Sequence, residues 1–426
     1  MKKKQLIKEN MYDEGGLGGH MAHPYEYTEL TFTEIFELID DLFKARVEHV
    51  TEKLDGQNIF VTMDPGGRIK FARNGKEVEA GGFDRDYIGV KWGKPEQTDV
   101  RETYTVAYDT FSDCLNGISP NLFRLENAQI WMNCEVINTN FPNVIPYPET
   151  EVSVHALVAF QNGTKNEVEI PDYDKRLQIV SQRLSETKSE HGKAQITPEI
   201  ALNIIENGKE LSESFKQKLN SVVMLVESAY PSMTIDEWKK NRLKGMIMSV
   251  PKYAVLFQLG DISRVIEERI INGNKQGECH STNIKKWLKV NMPDKLSEII
   301  GLLDGYEKVD GPKIMKKVML PLENFFLSLG IEVMQMVAGY ENEGRKEMIL
   351  NKLAADLKQK TEELKMFPEN SDEYQKMVIQ MRKIEEAGNR LNAFEGIVFN
   401  WRGRAMKLTG CFAPLNQIMG IGRYGR

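Results

Sequence analysis

The chain is short of cysteine, of histidine and of long apolar runs, and each shortage excludes a class of protein. Four cysteines among 426 residues (Cys114, Cys134, Cys279 and Cys411) are scattered and form no C-x-x-C pair. They read as reduced thiols, not as a disulfide framework or a zinc site. The spacing His20-x-x-His23 and the pair Cys279-His280 stand without a further Cys or His cluster, so both read as packing or turn residues. No apolar run approaches the roughly eighteen residues that a membrane-spanning helix needs. The start, Met1-Lys2-Lys3-Lys4, has the lysines of a signal peptide without an apolar stretch behind them, so a cytoplasmic protein with no membrane partner is expected. There is no G-x-x-x-x-G-K-[ST] phosphate loop, and the glycines at 15, 16, 18 and 19 do not match G-x-G-x-x-G. No internal repeat is evident. A net charge of -6 lacks the bulk positive charge of a protein that coats nucleic acid, so any such contact must be local.

What is present can build large cores. Hydrophobic residues make up 41% and charged residues 28%, and the length suits two or three domains. Up to about residue 165 the sequence has short alternating runs, such as Asn58 to Met63, Arg68 to Ala72 and Val152 to Phe160, which predict strands. Asp64-Pro65-Gly66-Gly67 predicts a turn between the first two. Thr31 and Glu34 form a capping box ahead of Ile35, Leu38, Ile39 and Leu42 at helical spacing. From 171 to 390 the texture is helical. Thr197-Pro198 is expected to open a helix through Ile200, Ala201, Ile204 and Ile205. Thr234 and Glu237 form another capping box, and further helices are expected over 312–340, 343–366 and 371–391. Their charged faces read as solvated surfaces. The last 36 residues, from 391, return to strand texture. One domain built from 1–170 and 391–426, interrupted by an all-helical insertion at 171–390, is therefore expected.

The chemistry concentrates at the two ends. Lys53-Leu54-Asp55-Gly56 is followed by Gln57-Asn58 and a strand; its glycine is expected to turn the chain sharply and present the lysine at a cleft. Alone, this tetrapeptide is a surface turn with a solvated lysine. Arg73 follows at the end of a strand, Glu135 sits inside an apolar run, and Glu395-Gly396-Ile397-Val398 and Met406-Lys407-Leu408 come late. If the last hairpin turns near Trp401-Arg402, Glu395 and Lys407 face each other across it.

In this order the set resembles the covalent nucleotidyltransferase superfamily of ATP-dependent DNA ligases, RNA ligases and capping enzymes. Its marks are a nucleophilic K-x-D-G, an arginine motif, a motif-III glutamate, an aromatic motif IIIa, E-G-[ILV]-[VM] and a final lysine motif. Asn58, where DNA ligases usually have arginine, is similar to the nick-sealing RNA ligases. The segments GGLGGHMAHPYEYTELTF and GCFAPLNQIMG resemble RNA ligases encoded by large tailed bacteriophages. The resemblance implies an α+β fold: a nucleotidyltransferase domain (ATP-grasp-like ligase) of antiparallel sheets with helices, interrupted by the helical insertion. It implies ATP as cosubstrate, Mg²⁺ or Mn²⁺, and nucleic acid with 5′-phosphate and 3′-OH ends as partner, RNA before DNA. Lys53, Glu395 and Lys407 would be catalytic. Glu52, Asp55, Asn58, Arg73, Glu135 and Phe160 would hold the nucleotide, and Glu135 and Glu395 the metal. For the aromatic motif, His155 competes with Phe160, which is followed by Gln161 where the family has Asp. The final motif reads Lys407-Leu408-Thr409 where many relatives have K-x-K, so one phosphate contact would be either lost or supplied by Arg402 or Arg404.

The physics agrees. A lysine attacking an α-phosphorus must be neutral, and from an ordinary value near 10.4 that costs about 4.6 kcal/mol at pH 7. Burial and neighbouring cations supply part of it. Mg²⁺ suits oxygen ligands and a triphosphate, and Arg73 and Lys407 would neutralise phosphate charge. Residues 408–426 are too few for the OB domain of a DNA ligase or capping enzyme of standard layout. The alternatives are a DNA ligase, an adenylyltransferase with another acceptor, and a non-catalytic binding module.

Overall fold

Thr31 opens the first helix: its hydroxyl accepts a hydrogen bond from the Glu34 amide, while the Glu34 carboxylate accepts one from the Thr31 amide. The structure, a computed structural model, describes residues 21–141, 147–164, 166–223, 232–337 and 395–409. In chain order α1 (Phe32–Phe43) leads to β1 (Glu48–Lys53), β2 (Gln57–Met63) and β3 (Ile69–Ala72). Helices α2 (Gly75–Glu79), α3 (Arg85–Lys91) and α4 (Thr98–Cys114) follow. Then come β4 (Ala128–Ile137), β5 (Glu151–Gln161), β6 (Glu167–Val168), α5 (Tyr173–Glu186) and β7 (Lys193–Ile196). Next are α6 (Gly208–Val223), α7 (Ile235–Met248), α8 (Ser263–Ile271), α9 (Ser281–Asn291), α10 (Leu296–Gly305) and α11 (Gly311–Met334). Strands β8 (Gly396–Trp401) and β9 (Arg404–Thr409) close the described chain.

These elements form two units. One comprises Met1–His23, Ala45–Ile205 and Gly330–Arg426, and the other Pro24–Lys44 and Glu206–Leu329. A sheet-bearing unit is thus interrupted by helical chain, but at other positions than the composition suggests. Helix α5 and strand β7 belong with the sheets, because β7 pairs in parallel with β5 and Val180 and Leu184 enter the sheet core. Helix α1 belongs with the helices, because it packs on α6: Phe43 meets Phe215 at 5.7 Å and Asp40 takes Lys216 at 2.7 Å.

The first unit holds a six-stranded sheet, in the order β3-β2-β4-β5-β6 with β7 on β5, and a three-stranded sheet, β1-β8-β9. All their pairings are antiparallel except β5 with β7. Alternation divides the larger sheet into two faces. Ile59, Val61, Phe71, Met132, Cys134 and Leu157 face a core closed by Ile88, Tyr104, Phe111 and Val180 of the helices. The opposite face is apolar at one end, with Phe60, Trp131, Val158 and Phe160, and polar at the other, with Asn58, Asn133, Glu135 and Ser153.

In the second unit Leu243, Ile247, Ile266, Ile284, Leu288, Ile299, Leu303 and Val318 form a separate core. Arg269 locks it at one corner, donating to both Glu307 oxygens at 2.6 and 2.9 Å and to the Cys279 carbonyl at 2.7 Å. No described helix is long and apolar enough to cross a membrane.

Local expectations hold where local physics governs. The strands at 58–63, 69–72 and 152–160 form, as do both capping boxes. The expected helix at 200–205 does not: the Ile200 amide donates to the Val50 carbonyl and the Asn203 amide to Met336, so this segment is extended. Tertiary backbone hydrogen bonds override its cap. Helix α4 was not expected, although Tyr104, Ala107, Phe111 and Cys114 sit at helical spacing and are buried. The helix expected at 312–340 is described over Gly311–Met334, and the segments 343–366 and 371–391 lie outside the described residues.

Candidate active site

Strand β1 ends at Lys53 and β2 begins at Gln57, so Leu54-Asp55-Gly56 carries the chain from the small sheet to the large one. The chain bends at Gly56, and close approach requires a glycine there. A Cβ on it would lie 2.6 Å from the Val136 carbonyl oxygen and 2.8 Å from Glu135 Cγ. Its backbone bends without entering the left-handed region. Held this close, the Gly56 amide donates to Glu135 Oε1 at 2.9 Å. Tyr147, from outside every motif, accepts from the Asp55 amide at 3.0 Å and reaches Glu52 Oε1 at 3.5 Å. It therefore braces the chain on both sides of Lys53.

Lys53 Nζ donates to Glu395 Oε2 at 2.8 Å across 342 positions of sequence. Their side chains keep only 14% and 13% of their exposure. Register brings in Lys407: Thr51 pairs with Val398 and Val398 with Lys407, while Lys53 pairs with Gly396 and Gly396 with Thr409. Lys53 and Lys407 thus lie on one face of the small sheet, one row apart. Lys407 is 2% exposed, a cation taken out of water.

The hairpin does not turn where the sequence suggested. Trp401 pairs with Arg404, leaving Arg402-Gly403 as a two-residue turn, with φ of 50° and 80°. Positive φ at both central positions is the hairpin turn that suits strand twist, and glycine accommodates it. Lys407 consequently faces Val398, not Glu395. The difference is three residues, and an odd slip reverses faces. Glu395, just before β8, meets Lys53 instead. The Arg402 guanidinium rests over Trp401 at 4.6 Å, and Arg404 begins β9.

On the large sheet, Asn58 pairs with Glu135 and Glu135 with Ser153. Asn58 Nδ2 donates to Asn133 Oδ1 at 2.7 Å, while Asn58 Oδ1 and Gln57 Oε1 are buried with no hydrogen-bond partner. Glu135 is 7% exposed. A β-bulge places one extra residue, His155, between Val154 (opposite Cys134) and Ala156 (opposite Asn133). It puts His155 Nε2 4.0 Å from Glu135 Oε2, with Nδ1 at 2.8 Å from Thr197 Oγ1. Of the two aromatic candidates, His155 is the one beside Glu135. Phe160 lies farther along β5, edge-on to Phe60 at 6.2 Å in the apolar end of the face.

Arg73 follows β3, and its amide is tied to Glu77 at 2.7 Å. Its guanidinium lies 5.4 Å from the centre of the Tyr104 ring. Tyr104 stacks on Trp92 at 4.7 Å and donates to the Asn58 carbonyl at 3.3 Å. Burial pushes the Tyr104 phenol far up; Arg73 pulls it back, and Glu135 and Glu77 push it further up. Burial, with Glu135 next to it, likewise keeps the Cys134 thiol protonated. Sequence reasoning missed Tyr104, Tyr147 and Thr197. Only Tyr104 left a signal, in its helical spacing.

Among the described residues no three His, Cys, Asp or Glu side chains gather as a metal cage; Cys279 is buried, and exposed His280 caps α9 by accepting from the Thr282 amide at 3.3 Å. His20, the glycines at 15–19 and Cys411 lie outside the described residues. Glu135 and Glu395 carry oxygen donors, the ligand type that a hard ion takes. The site offers a lysine against a carboxylate, a second buried lysine on the same face, and a polar strand face with unpartnered acceptors. Compared with known proteins, the chain matches no family model, no curated protein and no solved structure.

Proposed function

We propose that the chain is an ATP-dependent polynucleotide ligase on a nucleotidyltransferase-type domain, joining RNA ends before DNA ends through a lysyl-AMP intermediate on Lys53. The observation that carries this reading is the pairing of Lys53 with Glu395 from opposite ends of the sequence, with Lys407 on the same sheet face.

An ammonium held by a carboxylate is not a nucleophile, so Nζ must first give up a proton, and Glu395 is positioned to accept it. The amine then attacks the α-phosphorus of ATP. An N–P bond forms, the bond from that phosphorus to the bridging oxygen breaks, and pyrophosphate leaves. Lys407 and Arg73 offset the negative charge on the phosphates. Glu135, held by the Gly56 amide, and Asn58, with its unpartnered oxygen, offer acceptors for ribose hydroxyls. His155, whose Nδ1 side is fixed by Thr197, presents a flat ring beside Glu135. Glu135 and Glu395 would hold Mg²⁺ or Mn²⁺, which when bound supplies positive charge to the triphosphate. AMP then passes from Lys53 to a 5′-phosphate end, and a 3′-OH attacks that end and expels AMP.

The test is incubation with α-labelled ATP and Mg²⁺ or Mn²⁺, then denaturation. Label should stay on the wild-type chain and be absent from Lys53→Ala. Nicked RNA, DNA and hybrid duplexes offered to the labelled protein then report the acceptor, with RNA sealed fastest. Label without sealing of any of them would leave adenylyl transfer and reject ligation.

A further inference from the structure

Two helices of the helical unit, α7 and α9, treat their lysines differently. On α7, Lys239 and Lys240 both reach Asp236, at 3.1 and 2.7 Å, and Lys244 reaches Glu267 at 2.6 Å. Arg242 lies over Trp238 at 5.5 Å. Helix α9 has Lys285, Lys286 and Lys289 and no acidic residue. Ile284 and Leu288 anchor it in the core, so helical periodicity turns the three lysines outward, and all three are exposed. Among the described residues none of the three takes part in an ion pair or side-chain hydrogen bond. Lys289 stands four residues from Lys285 and three from Lys286, spacings at which like charges repel. Solvation of a surface helix needs charge of either sign; it does not need a single sign without partners.

The chemistry of an occupant follows. It must be a polyanion with repeated charges. A membrane is disfavoured, because Trp287 packs inward on the core and only Val290, 78% exposed, is apolar on the outer face. We propose that the outer face of α9 binds the phosphate backbone of the nucleic acid whose ends the protein joins. The choice of nucleic acid rests on the ligase reading. The lysines act by neutralising phosphates and releasing counterions, so they add affinity without reading sequence. They also answer how a chain of net charge -6 holds such a substrate: through a local cationic helix face.

The experiment uses the full chain and a fluorescent nicked RNA duplex, titrated at several salt concentrations. For Lys285→Ala/Lys286→Ala/Lys289→Ala the slope of log K against log salt should flatten by about 2–3, with weaker binding at low salt. The corresponding triple Arg variant should keep the wild-type slope, and Lys239→Ala/Lys240→Ala should leave it unchanged. Circular dichroism checks folding; if the triple Ala variant unfolds, Lys286→Ala alone should flatten the slope by about 1. An unchanged slope in a folded variant overturns the proposal. So does an equal change on removing the α7 lysines, or lysine-dependent binding to phosphatidylserine vesicles with none to RNA. Lysyl-AMP formation, read on the same samples, should not change. Its absence from the wild type would defeat the ligase reading and leave the salt result to stand on its own.

Discussion

Two ion pairs, one in each unit, set cations of different chemistry against a carboxylate. Arg269 meets Glu307 through two parallel contacts and spends a third donor on the Cys279 carbonyl. A guanidinium is always charged in proteins, so that pair has one state. Lys53 meets Glu395 through one oxygen, and an amine can lose its proton. Burial is similar, at 9% and 22% side-chain exposure for the first pair and 14% and 13% for the second. Exposure therefore does not distinguish them; the donor's chemistry and the surrounding strand edges do.

The largest expected effect tests that distinction by exchange. Lys53→Arg keeps a cation for Glu395 but removes the nucleophile, so AMP attachment should vanish while the thermal midpoint stays near the wild-type value. A residual label in this variant would place the nucleophile elsewhere. The reciprocal change falls on stability: Arg269→Met, measured by urea unfolding, should cost about 3 kcal/mol because Glu307 is left without its partner, and AMP attachment per folded molecule should not change. If Arg269→Met instead lowered attachment with stability intact, the helical pair would not be merely a lock.

Tyr104 offers a finer test within the sheet unit. Tyr104→Leu removes the ring beneath Arg73 and should raise the KM for ATP about tenfold, a loss near 1.4 kcal/mol. Tyr104→Phe keeps the ring and should stay close to wild type. Equal damage in both variants would assign the effect to the hydroxyl on Asn58. The smallest effect is expected at Asp40. Burial pushes its carboxyl up, but hydrogen bonds from Lys216 and Ser212 and the charges of Lys216 and Lys44 outweigh it and hold it below the usual range. A carboxyl lowered by folding stabilises fully above its unfolded value near 3.9 and loses that contribution as pH falls through the folded value. Asp40→Asn should thus cost about 1 kcal/mol at pH 7, with the difference from wild type closing below about pH 4. A difference that persists in acid would point to packing instead.

The sequence made legible whatever rests on neighbours in the chain. Alternation marked β2, β3 and β5, and Thr-x-x-Glu marked the starts of α1 and α7. The segment 200–205 was misjudged because its amides are taken by Val50 and Met336, far away in sequence. The last hairpin was misplaced because Gly403 was passed over as a turn former, and the shift moved Lys407 from Glu395 to Val398. The bend at Gly56 was legible, but its close packing was not, since only the fold puts Val136 and Glu135 against it. Tyr147 has nothing in its own surroundings to mark it, and Thr197 was legible only as a helix cap, whereas its hydroxyl is taken by His155. The pairing of Lys53 with Glu395 was not legible: the hairpin reading set Glu395 against Lys407, and only the fold brings residues 342 positions apart together.

The most direct test of the central claim is a peptide map of the wild-type chain after incubation with ATP and Mg²⁺. The account predicts one added AMP on the peptide that contains Lys53, reversed by pyrophosphate and absent when Glu395 is replaced by alanine. An unmodified Lys53 under both Mg²⁺ and Mn²⁺, or AMP on another residue, would contradict it.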